Sequence, residues 1–134
     1  MAHYEQLREV ALKARSNAYT PYSNFAVGAA VETEDGLIFG GANVENAAYP
    51  QTICAERSAI ASAVTAGQRK IRRVYVVAEP VATPCGGCRS MLGELGAPDT
   101  EVIIGALDGR ERVFQLKELL PLSFELGDKF EFEE

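Results

Sequence analysis

Apolar residues recur along this chain in two rhythms, and the switches between them mark out its elements. Over residues 2 to about 18, Leu7, Val10, Ala11, Ala14 and Ala18 fall three or four apart, with Glu5, Arg8, Glu9 and Lys13 elsewhere, the stripe of an amphipathic surface helix. Pro21 disfavours helix at Thr20 and has no N–H to continue the ladder, so Tyr19 to Asn24 is a break. Phe25, Val27, Ala29 and Val31 then alternate onto one face of a strand. Asp35-Gly36 supplies a tight hairpin into a second strand, Leu37 to Gly41, which Gly40-Gly41 ends. A polar loop, Asn43 to Asn46, leads through Ala47-Ala48-Tyr49-Pro50-Gln51 to a helix from Thr52 or Cys54 to Ala66. Its buried face is small (Ala55, Ala59, Ile60, Ala63, Val64), which predicts close packing on a neighbour, and Gly67 stops it.

The second half changes rhythm again. Arg73 to Ala78 reads as a strand buried on both faces, as inside a sheet flanked by helices. A helix from Cys85 to about Leu95 and a strand from Glu101 to Gly105 complete a crossover between parallel strands. Asp108-Gly109 turns the chain into Arg112 to Gln115 and a short helix near Leu116 to Leu120, which Pro121 ends. The tail carries Phe124, Leu126, Phe130 and Phe132 among acidic residues and is apolar enough to pack. The pattern predicts an α/β fold in three layers, α/β/α, with a mixed sheet of about five strands. The 134 residues make one domain by length, with no repeat and no internal linker.

Composition narrows the partners. A formal net charge of -6 and a pI near 4.9 argue against polynucleotides or anionic membranes as main partners, because both reward clustered Lys and Arg. The one basic cluster, Arg69-Lys70-Ile71-Arg72-Arg73, precedes a strand and reads as a solvated loop. Three cysteines cannot all pair, and no stretch resembles a signal peptide or a membrane span, so the expected compartment is a reducing cytoplasm.

The cysteines supply the chemistry. Cys85 and Cys88, in Pro84-Cys85-Gly86-Gly87-Cys88-Arg89, are three apart at a helix start and share a face, with Pro84 suited to the first helical position. The free N–H groups there favour thiolate. Gly86 and Gly87 would each cost about 1 kcal/mol in an ordinary helix interior, which suggests that backbone approaches the sulfurs closely. On its own Cys-x-x-Cys fits zinc, dithiol redox chemistry or plain core cysteines. Cys54, at a second helix start, shifts the balance to a three-thiolate zinc site. The one histidine, His3, sits at a terminus prone to fraying, so the fourth position is left to water.

Glu56, two residues after Cys54, is placed to accept a proton beside the metal, since zinc lowers the pKa of bound water to about 7. Without the cysteines, the same residue would be read as a carboxylate favouring a helix N-terminus. Three thiolates leave the centre net negative, and Arg57 or Arg89 could donate N–H groups to sulfur and withdraw charge.

Taken together, Ala18 to Ser23 with Phe25 and Val27-Gly28-Ala29-Ala30, Asn43-Val44-Glu45-Asn46-Ala47, Cys54-Ala55-Glu56-Arg57, Pro84 to Arg89 and Glu118-Leu119-Leu120-Pro121 resemble the zinc-dependent cytidine deaminase family, in its small homotetrameric branch. The resemblance implies hydrolytic deamination of cytidine and 2'-deoxycytidine in pyrimidine salvage. It implies one Zn2+ per subunit on Cys54, Cys85 and Cys88, Glu56 as the catalytic proton carrier, and Arg57 behind the ligands. It places Phe25, Asn43, Glu45, Ala55 and Phe124 at the substrate, a free pyrimidine nucleoside. Asn43 and Glu45 would bind the ribose hydroxyls, and Phe124, with Tyr49 a further candidate, would reach a neighbouring subunit's pocket. Ser90 stands where the family usually has glutamine, and Ala42 where several members carry another cysteine. Other readings are a deaminase of blasticidin-type antibiotics, a non-catalytic zinc-stabilised binding module, and redox chemistry at Cys85 and Cys88.

Overall fold

The computed structural model describes residues 4–124. In chain order these form α1 (Glu5–Arg15), β1 (Val27–Thr33), β2 (Ile38–Ala42), α2 (Ala55–Thr65), β3 (Ile71–Ala78), α3 (Gly86–Leu95), β4 (Glu101–Gly105), β5 (Glu111–Gln115) and α4 (Leu116–Leu119). The strands make one mixed sheet in the order β2-β1-β3-β4-β5. Only β3 and β4 run parallel, joined through α3 as the sequence predicts.

Alternation along the central strands sorts the core onto two faces. Val27, Ala29, Val31, Val74, Val76, Val102 and Ile104 pack with Ala59, Ile60, Ala63 of α2 and Leu92 of α3. Ala30, Tyr75, Val77 and Ile103 pack with Leu7 and Ala11 of α1 on the other face. Val74 to Ala78 is buried throughout, as a strand covered on both sides must be. Among the described residues no helix is long and apolar enough to cross a membrane.

Close approach between layers depends on bare backbone at a few positions. A Cβ on Gly41 would stand 2.3 Å from the Ala59 nitrogen and 2.6 Å from the Ala55 carbonyl oxygen, so α2 rides directly on β2. A Cβ on Gly28 would stand 2.0 Å from the Ala11 carbonyl oxygen, so α1 rides on β1 from the opposite face.

Four expectations need correction. The first helix stops at Arg15, short of residue 18, because Asn17 and Ala18 close turns onto Ala14 and Arg15 and Tyr19 N–H leaves to pair with Asn43. Gly40-Gly41 lies inside β2 instead of ending it, because helices press on the strand there from both sides: an added Gly40 Cβ would meet Val10 of α1 at 2.9 Å. The basic cluster is not a solvated loop, since its last three residues begin β3 and Ile71 is buried. Arg73 is tolerated there because it lies between Glu32 of β1 and Glu101 of β4 in register and pairs with both, at 2.8 and 2.6 Å. Pro84 does not open α3; Cys85 is the cap and Gly86 the first helical residue. His3, Leu126, Phe130 and Phe132 lie outside the described residues.

Candidate active site

The starts of α2 and α3 meet at one end of the sheet. Cys54 and Cys85 are the N-cap residues of these helices, both with extended backbone (ψ 153° and 171°), and Cys88 is in the first turn of α3. An extended cap turns its side chain back over the helix start, so the sequence brings two thiols together by ending two loops in the same way. The Sγ atoms of Cys54 and Cys85 are 3.7 Å apart, those of Cys85 and Cys88 3.4 Å, and all three lie within 4.8 Å of one another. Three sulfurs on one tetrahedral ion with Zn–S bonds of about 2.3 Å would be about 3.8 Å apart, so the donor set and its spacing fit zinc. Among the described residues no fourth cysteine, histidine or carboxylate joins this cluster.

The thiols differ in environment. Cys88 is fully buried, and burial followed by the nearby charge of Glu56 pushes its thiol up. Burial also raises Cys54. Burial acts the same way on Cys85, but the backbone N–H groups of Cys88 and Gly87 and the other two thiols outweigh it, so its thiolate is favoured. Gly86 and Gly87 are both exposed, and an added Cβ would meet nothing within 4 Å at Gly86 and only the Cys85 sulfur, at 4.0 Å, at Gly87. Among the described residues, then, no crowding at the sulfurs accounts for either glycine.

Glu56, the second residue of α2, is only 5 % exposed. Burial raises its carboxyl above the ordinary carboxylate range, opposed by its own backbone N–H and the charge of Arg57. This buried carboxyl is near enough to act electrostatically on Cys54 and Cys88, a position from which a carboxyl can exchange a proton with a group at the cluster. Ala55 is fully buried behind it at the first position of α2.

Among the described residues, the bonds of both arginines run to main-chain and hydroxyl oxygens. Arg57 donates from Nη2 to the Thr52 carbonyl at 3.0 Å, and its Nε is buried with no partner among the described residues. Arg89 donates to the carbonyls of Pro84 and Leu119 and to Thr83 Oγ1. Both therefore reach back to the segments that enter the ligand caps, Arg57 to Thr52 and Arg89 to Thr83-Pro84. The acceptors themselves left no trace in the sequence because they are mostly main-chain atoms.

The residues expected at the nucleoside are each held by contacts of their own. Asn43 uses its amide on the backbone: Oδ1 accepts from Val27 N–H at 2.9 Å and Nδ2 donates to the Phe25 carbonyl at 2.8 Å. It thereby fixes Phe25, which is half-buried against the α2-side core. Glu45 is half-buried and accepts from the N–H groups of Tyr22 and Ser23 and from the Ser23 hydroxyl, which holds its carboxyl below the usual range. Each keeps unused capacity, a second amide hydrogen on Asn43 and further lone pairs on Glu45. Ser23 was not singled out in the sequence; its spacing from Glu45 offers no periodic signal. Tyr49 and Phe124 are each 86 % exposed and Leu122 is 88 % exposed.

The comparisons with known proteins agree with this geometry. Residues 1–106 match the family model described as the cytidine and deoxycytidylate deaminase zinc-binding region. The chain is 44% identical over 127 residues to a cytidine deaminase of Halalkalibacterium halodurans, covering 92% of this chain and 96% of that one. It is 34% identical over 108 residues, 73% of this chain and 76% of the other, to a blasticidin-S deaminase of Bacillus cereus. The crystal structure of cytidine deaminase from Burkholderia pseudomallei superposes with a TM-score of 0.85 at 46% identity, covering 92% of this chain and all of that one.

Proposed function

Because the chain belongs to the family of zinc-binding cytidine and deoxycytidylate deaminases, we propose that it catalyses the hydrolytic deamination of cytidine and 2'-deoxycytidine to the corresponding uridines and ammonia. The observation that carries this reading is the pairing of a three-thiol cluster, with spacing suited to one tetrahedral ion, and a buried carboxyl raised by its surroundings at the same helix start. Held by Cys54, Cys85 and Cys88, zinc would supply the Lewis acidity that makes water deprotonable near neutral pH. Glu56 does the rest of the proton work. It takes the proton from water and delivers it to N3 of the pyrimidine as C4 is attacked. It then takes the proton of the hydroxyl now on C4 and passes it to the exocyclic nitrogen, which departs as ammonia as the C4–N bond breaks and the C4 carbonyl forms. Its burial, at the second position of the helix that Cys54 caps, keeps this carboxyl from serving as a solvated surface charge.

Substrate selection falls to the mouth. Phe25 offers an apolar edge to the base, held by Asn43, while the spare hydrogen of Asn43 and the unused lone pairs of the Glu45 carboxylate meet the ribose hydroxyls. These two polar groups favour a free ribonucleoside or deoxyribonucleoside over an antibiotic lacking that sugar. The net charge of -6 fits a neutral nucleoside better than a polynucleotide. The assembly we propose is a homotetramer in which neighbours complete each site, supported by the exposure of Tyr49, Leu122 and Phe124 among the described residues. Three unpaired thiols suit a reducing cytoplasm.

The test is a purified, zinc-analysed preparation offered cytidine, 2'-deoxycytidine and blasticidin S side by side, with loss of the cytosine absorbance as readout. Turnover of the two nucleosides well above that of the antibiotic is expected. Stoichiometric zinc without nucleoside turnover would refute the catalytic reading, and faster turnover of blasticidin S would replace the substrate.

A further inference from the structure

Arg89 follows Cys88 on the first turn of α3, and its guanidinium bonds three acceptors on two segments. Nε donates to the Pro84 carbonyl at 2.8 Å, Nη2 to Thr83 Oγ1 at 3.3 Å and Nη1 to the Leu119 carbonyl at 3.0 Å. Thr83-Pro84 is the extended entry to Cys85. Leu119 is the last residue of α4, and such terminal carbonyls lack an intrahelical partner. Beyond it the chain passes Pro121 and Leu122 to reach Phe124. Because the guanidinium is planar and rigid, acceptors on separate segments bound to it are fixed relative to one another.

We propose that Arg89 is a positioning residue that sets the Cys85 ligand through the Pro84 carbonyl and locks the metal-bearing turn to α4 and the segment leading to Phe124. The first half rests on the zinc reading and the second on Phe124 serving the substrate pocket. Cys85, Gly86 and Gly87 are all exposed, so no described side chain grips the turn from its outer side, and its place depends on what holds it from behind. Pro84 is buried there and Arg89 bonds its carbonyl. The helices are close enough for the third arm to reach main chain: a Cβ on Gly93, one turn further along α3, would stand 2.8 Å from Leu120 Cδ2. Arg57 repeats half of the device on α2, reaching back to the Thr52 carbonyl ahead of Cys54. Only Arg89 also ties in a further helix.

Lysine keeps the charge but gathers its three N–H donors on one nitrogen, so it does not reproduce the rigid fork that meets the Pro84 and Leu119 carbonyls from two nitrogens. The experiment follows zinc release from the holoenzyme to a chromogenic chelator, together with kcat and KM, in Arg89→Lys and Arg89→Gln. Both variants are expected to release zinc about 10- to 100-fold faster, the range for lost outer support of a metal ligand. They should also show a raised KM, which faster zinc loss alone would not cause. A wild-type release rate in either variant overturns the proposal, and in Arg89→Lys it would show that charge alone suffices. An unchanged KM removes the link to the Phe124 segment. If neither variant folds, Thr83→Ala decides, since this exposed side chain removes one arm. Its release should quicken about two- to threefold, the low end for one lost hydrogen bond, and an unchanged rate overturns the proposal. Release is read without substrate, so a chain that holds zinc through Arg89 yet leaves cytidine untouched would sink the catalytic reading alone.

Discussion

Gly41→Ala should damage the site from behind, and the structure sets the size of the damage. The new Cβ would lie 2.3 Å from the Ala59 nitrogen, 2.6 Å from the Ala55 carbonyl oxygen and 2.9 Å from the Ala59 Cα, all helix backbone that no rotamer change can move aside. Restoring ordinary contact requires α2 to retreat by about 1 Å, given nonbonded separations of about 3.5 Å. Cys54 caps that helix and Glu56 is its second residue, while Cys85 and Cys88 ride on α3 and stay put. The retreat therefore opens the 3.7 Å gap between Cys54 and Cys85, whereas a metal site tolerates only about 0.2 Å in its ligand distances. Misplacing a reacting group by about 1 Å costs on the order of 100-fold in rate.

Gly28→Ala is the matched control. Its Cβ would stand 2.0 Å from the Ala11 carbonyl oxygen and 2.6 Å from Arg15 Cβ, driving α1 off the opposite face of the sheet. Both variants are expected to lose about 1–3 kcal/mol to overpacking, and each kcal/mol lowers Tm by about 3–5 °C at this length. Only Gly41→Ala should also lose about 100-fold in kcat and release zinc faster. The assay is thermal unfolding, cytidine turnover and chelator-driven zinc release on all three proteins. Equal kcat and zinc release in Gly41→Ala and Gly28→Ala would refute the claim that α2 transmits β2 packing to the site.

Three further outcomes are expected. Glu56→Gln keeps shape but cannot ferry a proton, so kcat should fall by about 10²–10⁴-fold with zinc content unchanged; equal loss of zinc would show that the carboxylate serves the metal instead. Glu32 is pushed up by burial but held below its ordinary value of 4.5 by the hydrogen bonds from Arg72 and Arg73. A depressed carboxyl adds stability that is complete above the unfolded value and fades as pH falls through the folded one. Glu32→Gln should therefore be less stable than wild type in urea at pH 7, by a margin that shrinks progressively below pH 4.5; a margin independent of pH would refute the ion-pair account. Phe124→Ala, altering a side chain that is 86 % exposed in one chain, should raise KM or lower the assembly mass while leaving Tm of the isolated fold nearly unchanged; wild-type KM and mass together would remove Phe124 from the site.

The sequence disclosed those parts of the molecule that side-chain chemistry decides. Alternation in Val27 to Val31 and the apolar run Val74 to Ala78 revealed central strands because burial acts residue by residue. Cys54, Glu56, Cys85 and Cys88 were legible because the inventory of soft ligands is so short. What stayed hidden is decided by main chain or by partners far away in the sequence. Gly40-Gly41 looks like a strand terminator until helices are seen pressing on both sides of it. Arg57 and Arg89 look like donors to sulfur until the carbonyls of Thr52, Pro84 and Leu119 come within reach. Arg73 looks solvated because nothing in its own neighbourhood of sequence reveals that Glu32 and Glu101 flank it across two strands. The same distinction separates two layers of the site itself: the groups that would do the chemistry are side chains a reader can find in the sequence, while their placement depends on backbone atoms that every residue carries. Substitutions that spare every recognisable motif, such as Gly41→Ala, can therefore disable the site as thoroughly as loss of Glu56 itself.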